Sequence, residues 1–135
     1  MSNSLSHTKW CCKYHVVIVP KYRKKIIYGK YRLEIGKIIR QLCEQKNIEI
    51  LESGACMDHI HLCLSIAPKH SVSKIMGYLK GKSALAFYDK YPKVAKNTGK
   101  KLWTVGYYVN TVGLDEVKVK NYIKSQEDYD KNSIE

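Results

Sequence analysis

The chain has 135 residues, and its 24 Lys and Arg against 12 Asp and Glu give a formal net charge of +12. This length suits one compact domain with a single core. There is no run of about eighteen apolar residues and no signal peptide, which excludes a membrane-spanning helix and predicts a cytoplasmic protein.

The five cysteines are odd in number and show no CxxC spacing, so a disulfide framework or a structural zinc knuckle is not expected. We interpret most of them as small core residues. The excess of basic residues favours a polyanionic partner, nucleic acid before a membrane surface, because no long basic amphipathic helix is evident. A basic domain without such a partner is the alternative on charge alone.

The first half of the chain predicts a strand, a helix and a hairpin. Residues 13–20 are rich in β-branched side chains and end at a proline, as a buried strand does. Apolar residues recur at helical spacing from about 31 to 46, which predicts an amphipathic helix. Residues 47–57 and 59–67 are typical of two strands, and the tight turn at 57–58 predicts that they form a hairpin.

The second half predicts two helices and one strand. Ser71 is a suitable N-cap for a helix that continues to about Tyr88, and Pro92 is expected to end this region. A basic loop is expected over 93–101 and a strand over 102–111. The pattern of 114–131 predicts a last helix, with acidic residues at its positive N-terminal end.

The order β-α-β-β-α-β followed by a helix is that of an α+β, ferredoxin-like or RRM-like fold, with two helices on one face of an antiparallel sheet. We expect residues 1–135 to form one such domain. The apolar side of strand 60–66 would meet the helices, which puts His59 and His61 on the open face. The helix at about 114–131 is the only element left to cover that face.

His59 and His61 are two apart on a strand, so two imidazoles can point at one ion. Imidazole suits several divalent metals, and Mg²⁺ can be held when phosphate oxygens and water complete its shell. Two ligands are too few for a structural zinc site, so substrate would complete this one. Histidines on a solvated strand face are nevertheless common. Asp58 can orient an imidazole or close the turn, and we favour the turn.

Tyr122 and Gln126 share one face of the last predicted helix, since they are four residues apart. A phenol can act as a nucleophile towards phosphorus, and the amide oxygen of Gln126 can supply a further metal ligand. The alternative is that Tyr122 packs on the core. A nucleophile, a metal site and a basic surface together favour phosphoryl transfer on nucleic acid.

These motifs resemble a known family. "DHIHLCL" matches the His-hydrophobic-His (HUH) signature, and "YIKSQ" resembles the single-tyrosine motif of the HUH transposases of small bacterial insertion sequences. The similarity continues through "KYHVVIVPKYRKK", "SVSKIMGYLKGKSA" and "LWTVGYYVNTVG", in the family's order. The similarity covers nearly the whole chain, from about Lys13 to Gln126. The chain also resembles the REP-associated tyrosine transposases, which are relatives of this family.

The resemblance implies an enzyme that cuts and rejoins single-stranded DNA near hairpins at transposon ends. His59, His61 and Gln126 would hold Mg²⁺ or Mn²⁺, and Tyr122 would form a 5′-phosphotyrosine intermediate. A homodimer with composite active sites is implied, as is a bacterial or archaeal, nucleoid-associated protein. The alternatives are a domesticated hairpin-processing nuclease and a non-catalytic module that binds single-stranded nucleic acid.

Basic residues outside these motifs are candidates for binding the DNA backbone. One group lies in the connector after the first strand, where basic residues stand beside an aromatic residue. The other group lies on the second predicted helix. A solvated lysine face is an equally good interpretation of any one of them. The candidates are Lys21, Arg23, Lys24, Lys25, Lys74, Lys80 and Lys82.

Overall fold

Six strands and three helices make up the part of the chain that the structure, a computed structural model, describes: residues 3–5, 8–21, 29–56, 58–98, 101–113 and 124. In chain order the elements are β1 (Asn3–Leu5), β2 (Thr8–Trp10), β3 (Lys13–Ile18), α1 (Gly29–Gln45), β4 (Glu49–Ala55), β5 (Ile60–Ser65), α2 (Val72–Lys90), α3 (Pro92–Thr98) and β6 (Tyr108–Val112).

The main sheet has four antiparallel strands in the order β4-β5-β3-β6. The first and third strands of the β-α-β-β-α-β unit therefore lie in the centre, as in the ferredoxin-like arrangement. The predicted α+β fold is confirmed. β1 and β2 form a separate antiparallel pair that the sequence did not predict.

One face of the sheet packs against α1 and α2 and carries the apolar core. Val16 and Ile18 of β3 and Leu62 and Leu64 of β5 are at most 2% exposed, as their alternation with polar residues predicts. The helices contribute Ile35, Ile38, Ile39, Cys43, Ile75, Met76, Leu79 and Phe87 to the same cluster. The periodicity of the two helical segments therefore matches the face that each helix buries.

The predicted hairpin is formed by β4 and β5, and its turn brings the histidines to the sheet. The backbone N–H of Cys56 donates to the carbonyl of His59 at 2.8 Å, which closes the turn. The pairing shifts between Ile50 and Glu52, so that β4 has a bulge at Leu51. Beyond the bulge Glu52 pairs with Cys63. The residues of β4 after Leu51 therefore point to the opposite face from the one that simple alternation from Ile50 would give.

The structure differs from prediction after α2. Pro92 begins the short helix α3 instead of ending the region, and much of the expected basic loop is helical. Proline suits the first position of a helix because its missing N–H would have no intrahelical partner there. The predicted strand 102–111 is shorter and later: Trp103 forms an isolated bridge to Pro20, and the continuous strand is β6.

Of the predicted last helix, only Lys124 lies within the described residues, and it is helical. Tyr122 and Gln126 lie outside them, so the tyrosine-bearing helix stays a prediction. Among the described helices, none is both long and apolar enough to cross a bilayer.

Candidate metal centre

The two predicted histidines lie where the β4–β5 turn meets β5, on the sheet face away from α1 and α2. His59 precedes the strand and His61 is its second residue. Their ring centroids are 4.4 Å apart and the ring planes make an angle of 73°. His61 is 5% exposed, whereas the side chain of His59 is 22% exposed. The two imidazoles thus meet in a sheltered place that solvent reaches most easily at His59.

Asp58 orients the ring of His59. Its carboxylate Oδ1 accepts a hydrogen bond from Nδ1 of His59 at 2.5 Å. Of the two roles considered for Asp58, closing the turn was favoured, whereas the contact in the structure is the other one, orientation of an imidazole. Because Nδ1 donates to the carboxylate, Nε2 is the nitrogen of His59 that can coordinate a cation.

His15 of β3 orients the ring of His61 in the same way. Nε2 of His15 lies 2.9 Å from Nδ1 of His61. The rings are nearly parallel, with 5° between their planes and 5.2 Å between their centroids. Combined with the short N–N distance, this separation means that the rings meet edge to edge in one plane. If His15 accepts from Nδ1–H of His61, then Nε2 of His61 is the nitrogen that can coordinate a cation.

Burial keeps His15 neutral, a state in which one of its two ring nitrogens can accept a hydrogen bond. Desolvation lowers the pKa of His15, a hydrogen bond with Asn110 of β6 acts in the opposite direction, and nearby His59 lowers the pKa further. The net pKa is below the ordinary value of 6.5, so His15 is mainly neutral at pH 7. His15 was not predicted as a site residue, although it is the one imidazole in the apolar strand "KYHVVIVP".

A thiol joins the two imidazoles. Cys56 directly follows β4, is 2% exposed and forms no disulfide. One donor atom each from Cys56, His59 and His61 lie within 4.8 Å of one another. Cys56 was not predicted to have a role beyond the core. The signal that could have found it is its position directly before the short turn that carries the histidines.

These donors fit a divalent cation. Imidazole nitrogens suit Mn²⁺, Zn²⁺ and related ions, while Mg²⁺ prefers oxygen ligands and water. Both Nε2 atoms belong to rings whose Nδ1 atoms are already hydrogen-bonded, which is the usual arrangement of metal-ligating histidines. A site with so few protein donors leaves positions for the oxygens of a substrate.

A helical residue from the C-terminal part of the chain contacts the sheet close to the histidines. Glu52 pairs with Cys63, and the next pair but one joins Gly54 to His61, so Glu52 is on the histidine face. Nζ of Lys124 lies 3.6 Å from Oε2 of Glu52. An ion pair with one exposed partner contributes little stability, but it shows that residue 124 lies beside Glu52.

Two of the predicted DNA-binding lysines, Lys21 and Lys80, line one groove together with Lys101. The ammonium of Lys80 also donates to the backbone carbonyls of Thr104 and Gly106, at 2.9 and 2.6 Å. Burial lowers the pKa of Lys80. Lys80 therefore ties the loop before β6 to α2 in addition to lining the groove.

The remaining predicted lysines of α2, Lys74 and Lys82, are exposed and stay candidates for contact with phosphate. Lys74 lies in the first turn of α2, where its backbone N–H donates to the hydroxyl of Ser71. Arg23, Lys24 and Lys25 lie outside the described residues.

Comparison with known proteins supports one family. Residues 8–126 match the family described as "Transposase IS200 like". The chain is 51% identical over 129 residues to the transposase for insertion sequence element IS200 of Salmonella typhimurium, covering 95% of this chain and 85% of the relative. It is 30% identical over 118 residues to the ISDra2 transposase TnpA of Deinococcus radiodurans, covering 86% and 84%.

Solved structures agree on the fold. A crystal structure from Deinococcus radiodurans R1, described as that of a transposase, superposes with a TM-score of 0.74 at 25% identity, covering 94% of this chain and 98% of that one. A REP-associated tyrosine transposase bound to a REP hairpin superposes with a TM-score of 0.62 at 12% identity, covering 91% and 70%. With a family match over most of its length and a relative that shares half of its residues, the chain belongs to the IS200-like transposase family.

Proposed function

We propose that this chain cleaves and rejoins single-stranded DNA at hairpin-bearing transposon ends. Tyr122 is the proposed nucleophile, and His59, His61 and Gln126 are the proposed ligands of Mg²⁺ or Mn²⁺. The observation that carries the proposal is the convergence of two imidazoles, each held through Nδ1, in a chain of the IS200-like transposase family. With DNA as substrate, the compartment would be the one that holds the chromosome.

A divalent cation, when bound, would polarise the scissile phosphate. The residues of the chain would prepare this site before DNA arrives. Asp58 and His15 hold the rings of His59 and His61, so that each ring is oriented before a cation binds. The contact of Lys124 with Glu52 brings this one described residue of the C-terminal part of the chain to the histidine face of the sheet.

The proposed reaction exchanges one phosphodiester for another. The phenol oxygen of Tyr122 attacks the phosphorus, its proton passes to solvent, and the bond from phosphorus to the 3′ oxygen breaks. The 3′ oxygen takes up a proton and leaves as a hydroxyl, while the 5′ phosphate stays on the tyrosine. Attack by another 3′ hydroxyl reverses the step and joins two strands without an external energy source.

The charge of the chain supports nucleic acid as the substrate. The formal net charge is +12, and Lys21, Lys80 and Lys101 line one groove. Contacts of this kind hold phosphate and weaken as salt rises, but they do not read sequence. A relative with the same fold is described as bound to a hairpin, which supports the proposed kind of DNA.

A homodimer is the proposed working form. Composite active sites, each built from residues of both subunits, are one arrangement of such a dimer. Among the described strands, β6 has only β3 as a neighbour and lies at an edge of the sheet. Tyr108 and Val109 of β6 are 56% and 38% exposed, and Val105 just before it is fully exposed. An exposed edge with apolar side chains is suited to pairing with a second copy.

A covalent-adduct assay tests the proposal. The full chain is mixed with single-stranded DNA that carries the element's own ends, with Mn²⁺, with Mg²⁺ or with EDTA, and is run on a denaturing gel. A slowly migrating adduct that requires metal is expected. It should disappear in Tyr122→Phe and persist in Tyr129→Phe, a matched change in the same part of the chain.

The outcomes separate the candidate functions. Salt-sensitive binding without an adduct on any end would contradict catalysis and favour a module that only binds hairpins. An adduct that persists in Tyr122→Phe would contradict the nucleophile. Cleavage of chromosomal hairpins with none at element ends would favour a domesticated nuclease.

A further inference from the structure

Cys56 supplies a donor atom to the cluster that it forms with His59 and His61. Unlike the two histidines, it has no role in the proposed reaction. It is 2% exposed, and its donor atom belongs with those of His59 and His61 to a group that spans at most 4.8 Å. We propose that Cys56, His59 and His61 together form a binding site for thiophilic divalent ions such as Zn²⁺. The inference rests on the proposed cation-binding role of the two histidines.

The backbone holds the thiol against the imidazoles. The hydrogen bond from N–H of Cys56 to the carbonyl of His59 fixes the two residues across the turn at 2.8 Å. The bulge at Leu51 sets the faces of the following residues, so that Ala55 pairs with Ile60 on the helix side. Cys56, the next residue, is therefore directed to the side of His61.

The spacing is close to that of a tetrahedral site. Donors about 2.0–2.3 Å from a zinc ion lie about 3.3–3.8 Å from one another. The group spans at most 4.8 Å, so binding requires the donors to approach one another by at most about 1.5 Å. His59 can supply this movement, because it lies on a turn and is the most exposed of the three residues.

The thiol changes which ion the site prefers. Thiolate and imidazole suit Zn²⁺ and Co²⁺, whereas Mg²⁺ has little affinity for sulfur. On binding, the S–H bond is replaced by a sulfur–metal bond and the proton is released to solvent. Three protein ligands leave a fourth position open. Zn²⁺ would therefore compete with Mg²⁺ or Mn²⁺ for the same two imidazoles and inhibit the proposed reaction.

Cobalt is the probe for the sulfur ligand. Co²⁺ is titrated into the full-length protein without DNA, and the near-ultraviolet charge-transfer band of a thiolate–cobalt bond is recorded. We expect the band in the wild type and in Cys43→Ala, a control that removes another buried thiol, and its loss in Cys56→Ala. X-ray absorption of the zinc-loaded wild type should show sulfur at about 2.3 Å, a measurement that needs no variant.

Affinity gives a second comparison. Loss of an outer-shell partner alone costs a metal site about 10–100-fold, so loss of a ligand should lower the Zn²⁺ affinity of Cys56→Ala by at least about 100-fold. Its Mn²⁺ affinity should change by less than about threefold, because Mn²⁺ gains little from sulfur. Circular dichroism checks that the variant is folded.

Several results would overturn the proposal. These are cobalt absorption without a charge-transfer band, a band that survives in Cys56→Ala, or zinc-loaded protein without a sulfur shell. The proposed function would then stand if Cys56→Ala still forms the Mn²⁺-dependent DNA adduct. Absence of any cation binding at the histidines would contradict both.

Discussion

Substitution of His15 tests whether the edge-to-edge contact with His61 prepares the cation site. Leucine removes the ring nitrogen that lies 2.9 Å from Nδ1 of His61. A buried group that loses such a partner costs about 1–3 kcal/mol, so His15→Leu should lower the free energy of unfolding by about that amount. Loss of an outer-shell partner should also weaken Mn²⁺ binding by about 10–100-fold, or about 1.4–2.7 kcal/mol.

Glutamine is the matched control, because its amide oxygen can accept the same hydrogen bond. We expect His15→Gln to recover most of the Mn²⁺ affinity, measured by calorimetry without DNA. Urea denaturation of the metal-free proteins reports the stability of each variant separately. A double-mutant cycle with His61→Ala should show that the two substitutions are coupled.

Wild-type Mn²⁺ affinity in His15→Leu would contradict a role of His15 in preparing the cation site. That role would also be contradicted if His15→Leu and His15→Gln bound Mn²⁺ equally weakly while both were stable, because the accepting atom would then be irrelevant. Additive effects in the double-mutant cycle would show that His15 does not act through His61.

Three further predictions concern the stability and assembly of the domain. Burial raises the pKa of the Cys43 thiol from 9.0 to about 11. Because this thiol loses its proton at a lower pH in the unfolded chain than in the folded one, the free energy of unfolding should fall by about 2–3 kcal/mol from about pH 9 to about pH 11. Urea denaturation of Cys43→Ala should lack this component, and equal pH slopes would contradict the assignment. Ser71→Ala should lower the free energy of unfolding by about 1 kcal/mol, because the Ser71 hydroxyl caps α2 by accepting the N–H of Lys74 at 3.2 Å, and an unchanged urea midpoint would count against the cap. Val109→Lys should shift the proposed dimer towards monomer in sedimentation, whereas Val105→Lys, a control outside the strand, should not. The same shift in both variants would argue against pairing through β6.

Local patterns predicted the parts of the fold that depend on local preference. The alternation around Leu62 and the short turn before His59 predicted the hairpin, and Ser71 marked the start of α2. Pro92 was misinterpreted because proline both ends one helix and suits the first turn of the next. Which of the two occurs depends on packing after the proline, where Ala95 becomes buried.

The candidate site was only half predictable. His59 and His61 are two residues apart at the start of β5, so sequence alone brings them together. His15 joins them through the pairing of β3 with β5, which is a long-range contact. Cys56 was missed for a different reason: counting by twos from Ile50 assigns it to the apolar face, and only the bulge at Leu51 reverses that assignment.

The bulge also decides where β4 can change in length. Glu49 and Ile50 pair with Ser65 and Leu64, and the ladder resumes when Glu52 pairs with Cys63. Deletion of Leu51 would therefore leave a regular ladder in which every other residue keeps its partner and its face. Loss of a residue between the bulge and the turn would instead move the side chains on one side of the deletion to the opposite face of the sheet. Relatives that differ in length within this strand should carry the gap at Leu51.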